Sequence, residues 1–358
     1  MKPFFTIIIP CCDIEPYVRE CLESIIRQSF TCWECITVVE TSKDRTEAIV
    51  REIAAKDSRF QVFTQPRSGS AAMPRNTGLD HAQGEYVFFI DGDDWLENNA
   101  LSRIQTNISA RPNADIYSFG CRVCVEQNGQ ALSVDFPEEI DNFPKDAPVE
   151  LTGIEATLLN GGTREYLFPP PWMNVFRREY LSQNSLRFSP GFALDDGEFA
   201  PRALVLAKRV VPIHELLYCY RIRPASQVTA GIVWRDRLND LAIRYKRLLA
   251  FHTTVASRKD FDVKVTKLWS CKWLRDIVGL WFLPHHIRNV PRTKRIESLK
   301  LMFADGFDDF STLRKAAAPH RRMTGWWVEV FVRHPSLRWL IEILFKLYFA
   351  ITMKKARS

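Results

Sequence analysis

The chain has 358 residues, more than one average domain, and so predicts one large domain or two smaller ones. Its composition, 46% hydrophobic and 25% charged, is typical of a globular protein and excludes a low-complexity or fibrous chain. The net charge of +7 comes from the end of the sequence, since residues 311–358 contain ten Lys and Arg side chains against two Glu. A partner that binds through the positive charge is therefore expected to contact the C-terminal segment.

Strand-like and helix-like segments alternate through the first half of the chain. Helices are predicted after Asp13 and after Asp44, each of which can cap a helix, and in "SAAMPRNTGLDHA", residues 70–82. Alternation at this spacing predicts a parallel sheet with helices on both faces. The strands are predicted in the runs "FFTIIIP", "CITVV", "FQVFTQ" and "YVFFI", residues 4–10, 35–39, 60–65 and 86–90.

Polar residues follow each of these predicted strands. Ligands of parallel α/β sheets bind beyond the carboxyl ends of the strands, so these side chains should converge at one edge and favour a site for a metal ion and phosphate. No GxGxxG motif follows the first strand and no GxxxxGK[ST] motif occurs, which argues against a dinucleotide oxidoreductase and a P-loop ATPase. The converging residues are Cys11, Cys12, Asp13, Glu40, Arg67, Asp91 and Asp93.

The stretch "YVFFIDGDDW", residues 86–95, places three carboxylates at the end of a core strand. Carboxylates this close repel one another unless water or a cation surrounds them, and Mg²⁺ and Mn²⁺ typically take one or two carboxylates plus phosphate oxygens. Gly92, between Asp91 and Asp93, permits a sharp turn and the close approach of a ligand. The alternative is an acidic turn in which an aspartate caps the following helix.

Several segments of the chain, taken together, resemble family 2 glycosyltransferases of the GT-A fold. The resemblance covers about residues 4–230 and implies an α/β, Rossmann-like, nucleotide-sugar-binding domain with a mainly parallel sheet at residues 1–230. It also implies sugar transfer with inversion at the anomeric carbon, with Mn²⁺ or Mg²⁺ as cofactor. The segments are "TIIIPCCDIEPYVRECLESIIRQSF", "ITVVETSKDRT", "GSAAMPRNTGLDHAQGEYVFFIDGDDWL", "NVFRREYL", "ALDDGEF" and "YRIRPASQVT".

The resemblance implies roles for residues on the donor side. Asp91 and Asp93 match the DxD carboxylates that hold the metal on the donor diphosphate. Glu40 would accept a hydrogen bond from the nucleotide base, and Arg75 would face the nucleotide and its phosphates. For Arg75, a surface ion pair on a helix is the alternative. The positions matched to the nucleotide are Pro10, Cys12, Glu40 and Arg75.

The resemblance also implies roles on the acceptor side. Asp196 matches the general base that takes the proton of the acceptor hydroxyl, and Phe199 matches the aromatic residue that follows it. Without the resemblance, "LDDGEF" is an acidic helix start and "PPPWMNVFRREYL" a core strand with two exposed arginines. The positions matched to the acceptor side are Trp172, Asn174, Arg177 and Asp195.

Three departures from the family pattern bear on the function. A UDP-sugar is the expected donor. The family usually has an aromatic residue where Cys12 stands and an aspartate where Val39 stands, and the loss of a stacking ring is expected to weaken or re-aim recognition of the nucleotide base. The QxxRW motif of processive synthases is missing, because Pro335 precedes Arg338 and Trp339, and addition of a single sugar is expected. The departures at positions 12 and 39 also motivate an alternative, a catalytically inactive relative that binds nucleotide-sugar or scaffolds a membrane complex.

Residues 231–358 have apolar residues at helical spacing and form a predicted helical region. Their last segment is basic and aromatic, but its longest uncharged run, residues 347–353, is too short to span a bilayer. An amphipathic helix on an anionic membrane surface is predicted, and a helix packed on the catalytic domain is the alternative. No motif supports nucleic acid as the partner, and the sequence leaves the oligomeric state open.

The start of the chain and its cysteines predict a cytoplasmic protein, peripheral at the membrane. The apolar run in "MKPFFTIIIPCC" is short, and Asp13 and Glu15 follow where a leader would have small residues. The nine cysteines are scattered, which favours reduced thiols. The expected acceptor is a growing glycan or a lipid-linked saccharide.

Overall fold

The computed structural model describes residues 2–126, 137–163, 170–191, 195–223 and 238–256, together with residues 264–266, 268, 293, 297, 298 and 301. The chain divides into two compact units, Met1–Gly231 and Ile232–Ser358. The candidate site lies within the first unit.

The first four strands are those that the apolar runs predict. They are β1 (Phe5–Cys11), β2 (Trp33–Glu40), β3 (Phe60–Gln65) and β4 (Tyr86–Phe89), and they lie side by side in the order β3-β2-β1-β4. Every neighbouring pair in this group is parallel. The carboxyl ends of all four strands therefore meet at one edge of the sheet.

The sheet continues beyond β4 with strands from the second half of the unit. These are β5 (Trp95–Leu96), β6 (Ile116–Val125), β7 (Glu139–Ile140), β8 (Asn174–Arg177) and β9 (Val210–Ile222). The order across the sheet is β3-β2-β1-β4-β8-β6-β9-β5, with β7 attached to β6. β8 is antiparallel to β4 and β6, whereas β6 and β9 form a long parallel ladder, so most of the paired sheet is parallel.

Helices cover both faces of the sheet, as the alternating pattern predicts. Along β1 and β4, Ile7, Ile9 and Phe88 join one hydrophobic cluster, whereas Ile8 and Phe89 join another, because successive strand residues face opposite sides. The first cluster contains residues of α1 (Glu15–Ile26), α2 (Thr46–Ala54) and α4 (Ala100–Ala110). The second contains residues of α3 (Ala72–His81), α5 (Gly153–Thr163), α6 (Arg178–Gln183) and α7 (Asp196–Leu206).

One of the two predicted helix caps is wrong. Asp13 has a left-handed φ of 50° and accepts hydrogen bonds from the Lys43 N–H and from Arg67, so it caps no helix. Asp44 instead accepts hydrogen bonds from the N–H groups of Glu15 and Thr46, at 2.9 and 3.0 Å. A single carboxylate therefore serves the first residues of both α1 and α2.

In the second unit, the structure describes helix α8 (Leu238–Ala256) and a few residues beyond it. Leu241, Ala242 and Tyr245 are buried along α8, and the His252 Nε2 lies 3.1 Å from the Thr266 hydroxyl. None of the helices in the described ranges combines the length and the apolar character that crossing a membrane requires. The predicted amphipathic helix of residues 311–358 lies outside the described residues.

Candidate active site

The loop after β4 carries three aspartates at the carboxyl edge of the sheet. The Asp94 N–H donates a 3.0 Å hydrogen bond to the Asp91 carbonyl, which closes a tight turn. The side chains of Asp91 and Asp93 are 28% and 24% exposed, so both carboxylates reach solvent. Asp94 is buried. The three carboxylates therefore have different surroundings, although they lie within four positions of the chain.

Gly92 is required by packing at the end of β1. A Cβ at this position would lie 2.4 Å from Cδ1 of Ile14 and 3.0 Å from the carbonyl oxygen of Pro10. The φ of Gly92 does not fall in the left-handed region. The glycine between the two aspartates is therefore explained by the close approach of Ile14 and Pro10, which leaves no room for a side chain, and not by an unusual backbone angle.

Tyr218 on β9 forms hydrogen bonds with the loop of residues 91–94, the aspartate loop. Its hydroxyl donates a 2.6 Å hydrogen bond to Oδ2 of Asp94 and accepts one of 3.1 Å from the Asp91 N–H. The other carboxylate oxygen of Asp94 accepts a 2.7 Å hydrogen bond from the Arg221 N–H. Asp94 is therefore a buried support, and no aspartate caps α4, which begins after Asn99.

Arg75 on α3 connects the two acidic segments that the sequence singles out. Its Nη2 lies 2.6 Å from Oδ1 of Asp91, and its Nη1 lies 3.0 Å from Oδ2 of Asp195. Burial by itself lowers the pKa of Arg75, but the charges of Asp91, Asp195 and Asp196 raise it by more. Two carboxylates are therefore bonded to one guanidinium, and the charge of a third, Asp196, also acts on it.

Asp195 and Asp196 stand at the start of α7 in different settings. Asp195 is buried, and burial, reinforced by the charge of Asp196, raises its pKa to about 6 despite the opposing effect of Arg75. Asp196 is half-buried, and its Oδ1 accepts a hydrogen bond from the Gly197 N–H. The segment is an acidic helix start, as the alternative predicts, but the Asp195 side chain is directed to Arg75 instead of capping the helix.

Two arginines at the end of β9 approach the same loop. Nε of Arg223 lies 2.9 Å from Oδ2 of Asp93, and Nε of Arg221 lies 2.8 Å from the Asp93 carbonyl. Burial and the charge of Asp91 raise the pKa of Asp93, whereas Arg223 lowers it. The sequence prediction assigned no role to Tyr218, Arg221 or Arg223. The available signal was the run "YCYRIR", in which aromatic and apolar residues typical of a strand are followed by two arginines.

Apart from Arg75 on α3, the residues matched to the nucleotide lie at the ends of β1 and β2. Pro10 is within β1, and Cys12 follows it as a half-buried thiol whose pKa is raised by burial. Glu40 ends β2 and is 4% exposed. Its Oε1 accepts hydrogen bonds from the Ser68 N–H and hydroxyl and from Gln65. Glu40 therefore holds the segment after β3 in addition to any contact with a ligand.

The residues matched to the acceptor side are not all brought together. The ring of Trp172 stacks on Tyr218, which bonds the aspartate loop, and on Tyr220, at centroid distances of 4.8 and 5.0 Å. Asn174 is buried, and its Nδ2 donates to the Pro170 carbonyl. Arg177 is paired in register with Tyr86, the first residue of β4.

The position of Arg177 corrects the sequence prediction. β8 is antiparallel to β4, so Arg177 lies at the amino end of β4, whereas Asp91 follows the carboxyl end. There its Nη2 lies 2.7 Å from Oδ1 of Asp115. Arg177 therefore lies at the opposite end of these strands from the aspartate loop, and the fold does not bring it together with Asp91 and Asp195.

Asp91 and Asp93 form a donor set that fits Mn²⁺ or Mg²⁺. Oδ1 of Asp91 bonds to Arg75 and Oδ2 of Asp93 bonds to Arg223, so each carboxylate keeps a second oxygen for a cation. Within the described ranges, no group of three or more His, Cys, Asp and Glu side chains is arranged around a metal position. A cation here would therefore share its coordination with phosphate and water, as these ions commonly do.

Comparison of sequences identifies the family. Residues 6–183 match the model of Glycosyl transferase family 2. The chain is 28% identical over 275 residues to the uncharacterized glycosyltransferase EpsJ of Bacillus subtilis, which covers 75% of this chain and 76% of EpsJ. The chain belongs to glycosyltransferase family 2.

Comparison of structures shows the GT-A fold. The crystal structure of residues 1–349 of Staphylococcus aureus TarS in complex with UDP-GlcNAc superposes with a TM-score of 0.67 at 20% identity, covering 94% of this chain and 92% of that one. The mannosyltransferase PcManGT of Pyrobaculum calidifontis, in complex with GDP-Man and Mn²⁺, superposes with a TM-score of 0.52 at 16% identity, covering 98% and 87%. These likenesses confirm the predicted α/β fold.

Proposed function

We propose that this chain is an inverting, metal-dependent glycosyltransferase that transfers a single sugar from a nucleotide-sugar to a growing cell-surface glycan. The observation that carries the proposal is the contact of the Arg75 guanidinium with both Asp91 and Asp195, the residue directly before Asp196. A candidate metal ligand and the immediate neighbour of the candidate base are thereby bonded to one buried cation, at the sheet edge where α/β folds bind ligands.

On the donor side, Asp91 and Asp93 would hold Mn²⁺ or Mg²⁺ against the diphosphate of the donor. The bound cation supplies positive charge that stabilises the diphosphate as a leaving group. Arg75 and Arg223 each hold one oxygen of these carboxylates and so orient the other oxygen. The pair of arginines also reduces the repulsion between the two carboxylates.

On the acceptor side, Asp196 would act as the general base. The acceptor oxygen bonds to the anomeric carbon as its proton passes to the Asp196 carboxylate and the nucleoside diphosphate leaves from the opposite face, which inverts the configuration. Asp196 is half-buried at the first residue of α7, accessible to a hydroxyl but partly shielded from water. Asp195, held by Arg75, would fix the helix start that carries the base.

A UDP-sugar is the proposed donor. The fold is shared with TarS in complex with UDP-GlcNAc, although PcManGT of the same fold is in complex with GDP-Man. Glu40 and Cys12 lie at the ends of neighbouring strands on the side where the base would bind. A single half-buried thiol offers less surface for stacking than an aromatic ring, so base selectivity should depend chiefly on hydrogen bonds.

The proposed acceptor is a polysaccharide or a lipid-linked saccharide of the cell surface, such as a capsular polysaccharide, exopolysaccharide or lipopolysaccharide. TarS, which is 27% identical over 219 residues, is a poly(ribitol-phosphate) β-N-acetylglucosaminyltransferase, and its name supports a polymer acceptor. The absence of QxxRW from the sequence supports addition of one sugar at a time.

The basic C-terminal segment would attach the enzyme to the cytoplasmic face of the membrane. Cosedimentation with vesicles rich in phosphatidylglycerol tests this, with Lys354, Lys355 and Arg357 changed to serine. Loss of three cations, at about 1 kcal/mol for each charge, should weaken binding roughly 100-fold. The matched control removes three exposed cations from the first unit, Arg27, Lys56 and Lys208. Equal binding by both variants would contradict membrane attachment through the tail.

A donor screen tests the catalytic proposal directly. The purified chain is incubated with UDP-, GDP- and dTDP-sugars and saccharide acceptors, with Mn²⁺ or with EDTA, and the product is examined by NMR. The expected result is transfer that needs Mn²⁺ and gives the opposite anomer to that of the donor. Retention of the donor anomer contradicts the inverting mechanism, and nucleotide binding without transfer favours an inactive relative.

A further inference from the structure

Arg75 is almost fully enclosed by the protein. Its side chain is 5% exposed, and its guanidinium lies over the Phe188 ring at 5.1 Å from the ring centroid. Arg75 therefore does not form the surface ion pair that the sequence analysis gives as its alternative, because its guanidinium is buried. Little of the guanidinium is left for contact with a nucleotide.

The two carboxylates that Arg75 bonds come from opposite halves of the site. Asp91 follows β4 and belongs to the metal-binding loop, whereas Asp195 precedes α7 and neighbours the proposed base. Each terminal nitrogen of Arg75 contacts one of them, at 2.6 and 3.0 Å. Since a guanidinium is planar and rigid, these two contacts fix the separation of the two carboxylates.

We propose that Arg75 is a positioning residue that sets the distance between Asp91 and the Asp195–Asp196 pair, and that it is not a nucleotide ligand. The proposal rests on the function proposed above for Asp91 and Asp196. If the guanidinium turned towards a phosphate, Asp195 would lose its bond to Arg75 while it stays 7% exposed. Leaving a buried charge without its partner is strongly unfavourable.

Lysine cannot reproduce this geometry. An ammonium group is a compact point charge, whereas the guanidinium presents separate nitrogens in a fixed fork. An ammonium could attract both carboxylates but would not hold them at a set separation. Arg75→Lys therefore keeps the charge and removes the positioning, which makes it the informative variant.

The first test separates positioning from nucleotide binding. In Arg75→Lys, kcat should fall roughly 10- to 100-fold, because a misplacement of about 1 Å has an effect of this size. The Kd for UDP in the absence of Mn²⁺ should change less than about threefold, since the nucleotide contacts are retained and the metal ligand Asp91 does not enter this measurement. A tenfold or greater rise in Kd with kcat unchanged would overturn the proposal.

Arg187→Lys is the matched control. Arg187 also ties its segment to α3, through the Asn76 carbonyl at 3.1 Å and Asp80 at 2.6 Å, but it touches no carboxylate of the site. Its kcat should stay within about twofold of the wild-type value, since its ion pair is exposed. An equal loss in both variants would show that any weakened contact to α3 is enough, and would overturn a specific role of Arg75.

A double-mutant cycle tests whether Arg75 acts through Asp195. Asp195→Asn removes the charge that Arg75 holds, so the double variant with Arg75→Lys should have about the same kcat as the more impaired single variant. Losses that multiply would show independent roles and overturn the proposal. If Arg75→Lys fails to fold, Asp195→Asn alone decides, because an unchanged kcat would contradict positioning through Asp195.

Hydrogen exchange gives a readout that does not need transfer. In Arg75→Lys, the amides of residues 91–94 and 195–199 should both exchange several-fold faster than in the wild type, whereas Arg187→Lys should leave them unchanged. If the wild type transfers no sugar, the proposed function fails and the exchange rates still decide whether Arg75 couples the two segments. Unchanged exchange in either segment would overturn the proposal.

Discussion

The hydroxyl of Tyr218 donates a 2.6 Å hydrogen bond to Asp94, and the two residues are 0% and 1% exposed. Burial and the charges of Asp93 and Asp91 raise the pKa of Asp94 well above its ordinary value. The same hydroxyl accepts a hydrogen bond from the Asp91 N–H. One tyrosine therefore supports both ends of the loop that would bind the metal.

Tyr218→Phe should destabilise the protein and weaken the metal site. Loss of the hydroxyl leaves a buried carboxyl group and a backbone N–H without this partner, at a cost of about 1–3 kcal/mol. The Kd for Mn²⁺ should rise, because Asp91 is less well held. Urea unfolding gives the change in stability, and titration of Mn²⁺ followed by electron paramagnetic resonance gives the Kd.

Tyr220→Phe is the control for Tyr218. Its ring stacks on the same Trp172, at 5.0 Å, but its hydroxyl is not the one bonded to Asp94. The expected effect on the Mn²⁺ Kd is negligible. If both variants weaken Mn²⁺ binding equally, the effect comes from the packing of the two rings on Trp172 and not from the hydrogen bond between Tyr218 and Asp94.

Arg223→Gln should tighten the binding of free Mn²⁺. Arg223 bonds one oxygen of Asp93 at 2.9 Å, so its positive charge lies close to the proposed cation. Removing a like charge about 5 Å from a divalent ion gains about 1–3 kcal/mol in a partly exposed site. Calorimetric titration with MnCl₂ in the absence of nucleotide measures this.

Arg209→Gln is the matched control, since Arg209 directly precedes β9 and Arg223 lies just beyond its far end. Arg209 bonds Glu150 at 2.8 Å, away from the aspartate loop. Its removal should leave the Mn²⁺ Kd unchanged. Weaker Mn²⁺ binding by Arg223→Gln would show that the arginine organises Asp93 more than it repels the cation.

Gly92→Ala should displace the aspartate loop. The added Cβ would lie 2.4 Å from Cδ1 of Ile14, and overpacking of this kind costs about 1–3 kcal/mol. Urea unfolding of Gly92→Ala, Ile14→Ala and the double variant separates the causes. The double variant should be less destabilised than the sum of the two single variants. Simple additivity would mean that the contact with Ile14 is not the cause.

Asp195 should make the protein less stable as the pH rises from about 4 to 6. The pKa of Asp195 is raised from 3.8 to about 6 in the folded state, chiefly by burial, so the folded state binds this proton more tightly than the unfolded state. The stabilisation is present at low pH and is lost as the pH passes the folded-state value. A rise of this size corresponds to about 3 kcal/mol.

Asp195→Asn should remove this contribution. The unfolding free energies of the wild type and the variant are measured in urea at pH 4, 5, 6 and 7. The wild-type value minus the variant value should decrease as the pH rises. Parallel curves for the two proteins across this range would contradict the raised pKa. Asp80→Asn, an exposed carboxylate, controls for general charge effects.

The sequence predicted those parts of the fold that depend on local patterns. Each of the first four strands contains a run rich in apolar and β-branched residues, and the aspartates of the DxD motif follow the fourth. Helix caps were less predictable, because Asp13 and Asp44 look alike in sequence. A left-handed backbone and the salt bridge to Arg67 direct Asp13 away from α1.

Contacts between distant segments were not predictable from one sequence. The bond between Arg75 and Asp195 joins positions 120 apart, and that between Asp93 and Arg223 joins positions 130 apart. The position of Arg177 was not predictable, because the direction of β8 in the sheet is set by topology rather than by composition. An antiparallel strand places its last residue at the edge where a parallel strand would place its first.

The central claim is that Asp196 removes the proton of the acceptor hydroxyl. The most direct measurement is the transfer rate of Asp196→Asn alongside its Kd for UDP with Mn²⁺. Transfer should fall roughly 10²- to 10⁴-fold while the Kd stays within about threefold, because asparagine fills the same space but cannot take a proton. Transfer at the wild-type rate by the asparagine variant would contradict the assignment of Asp196 as the base.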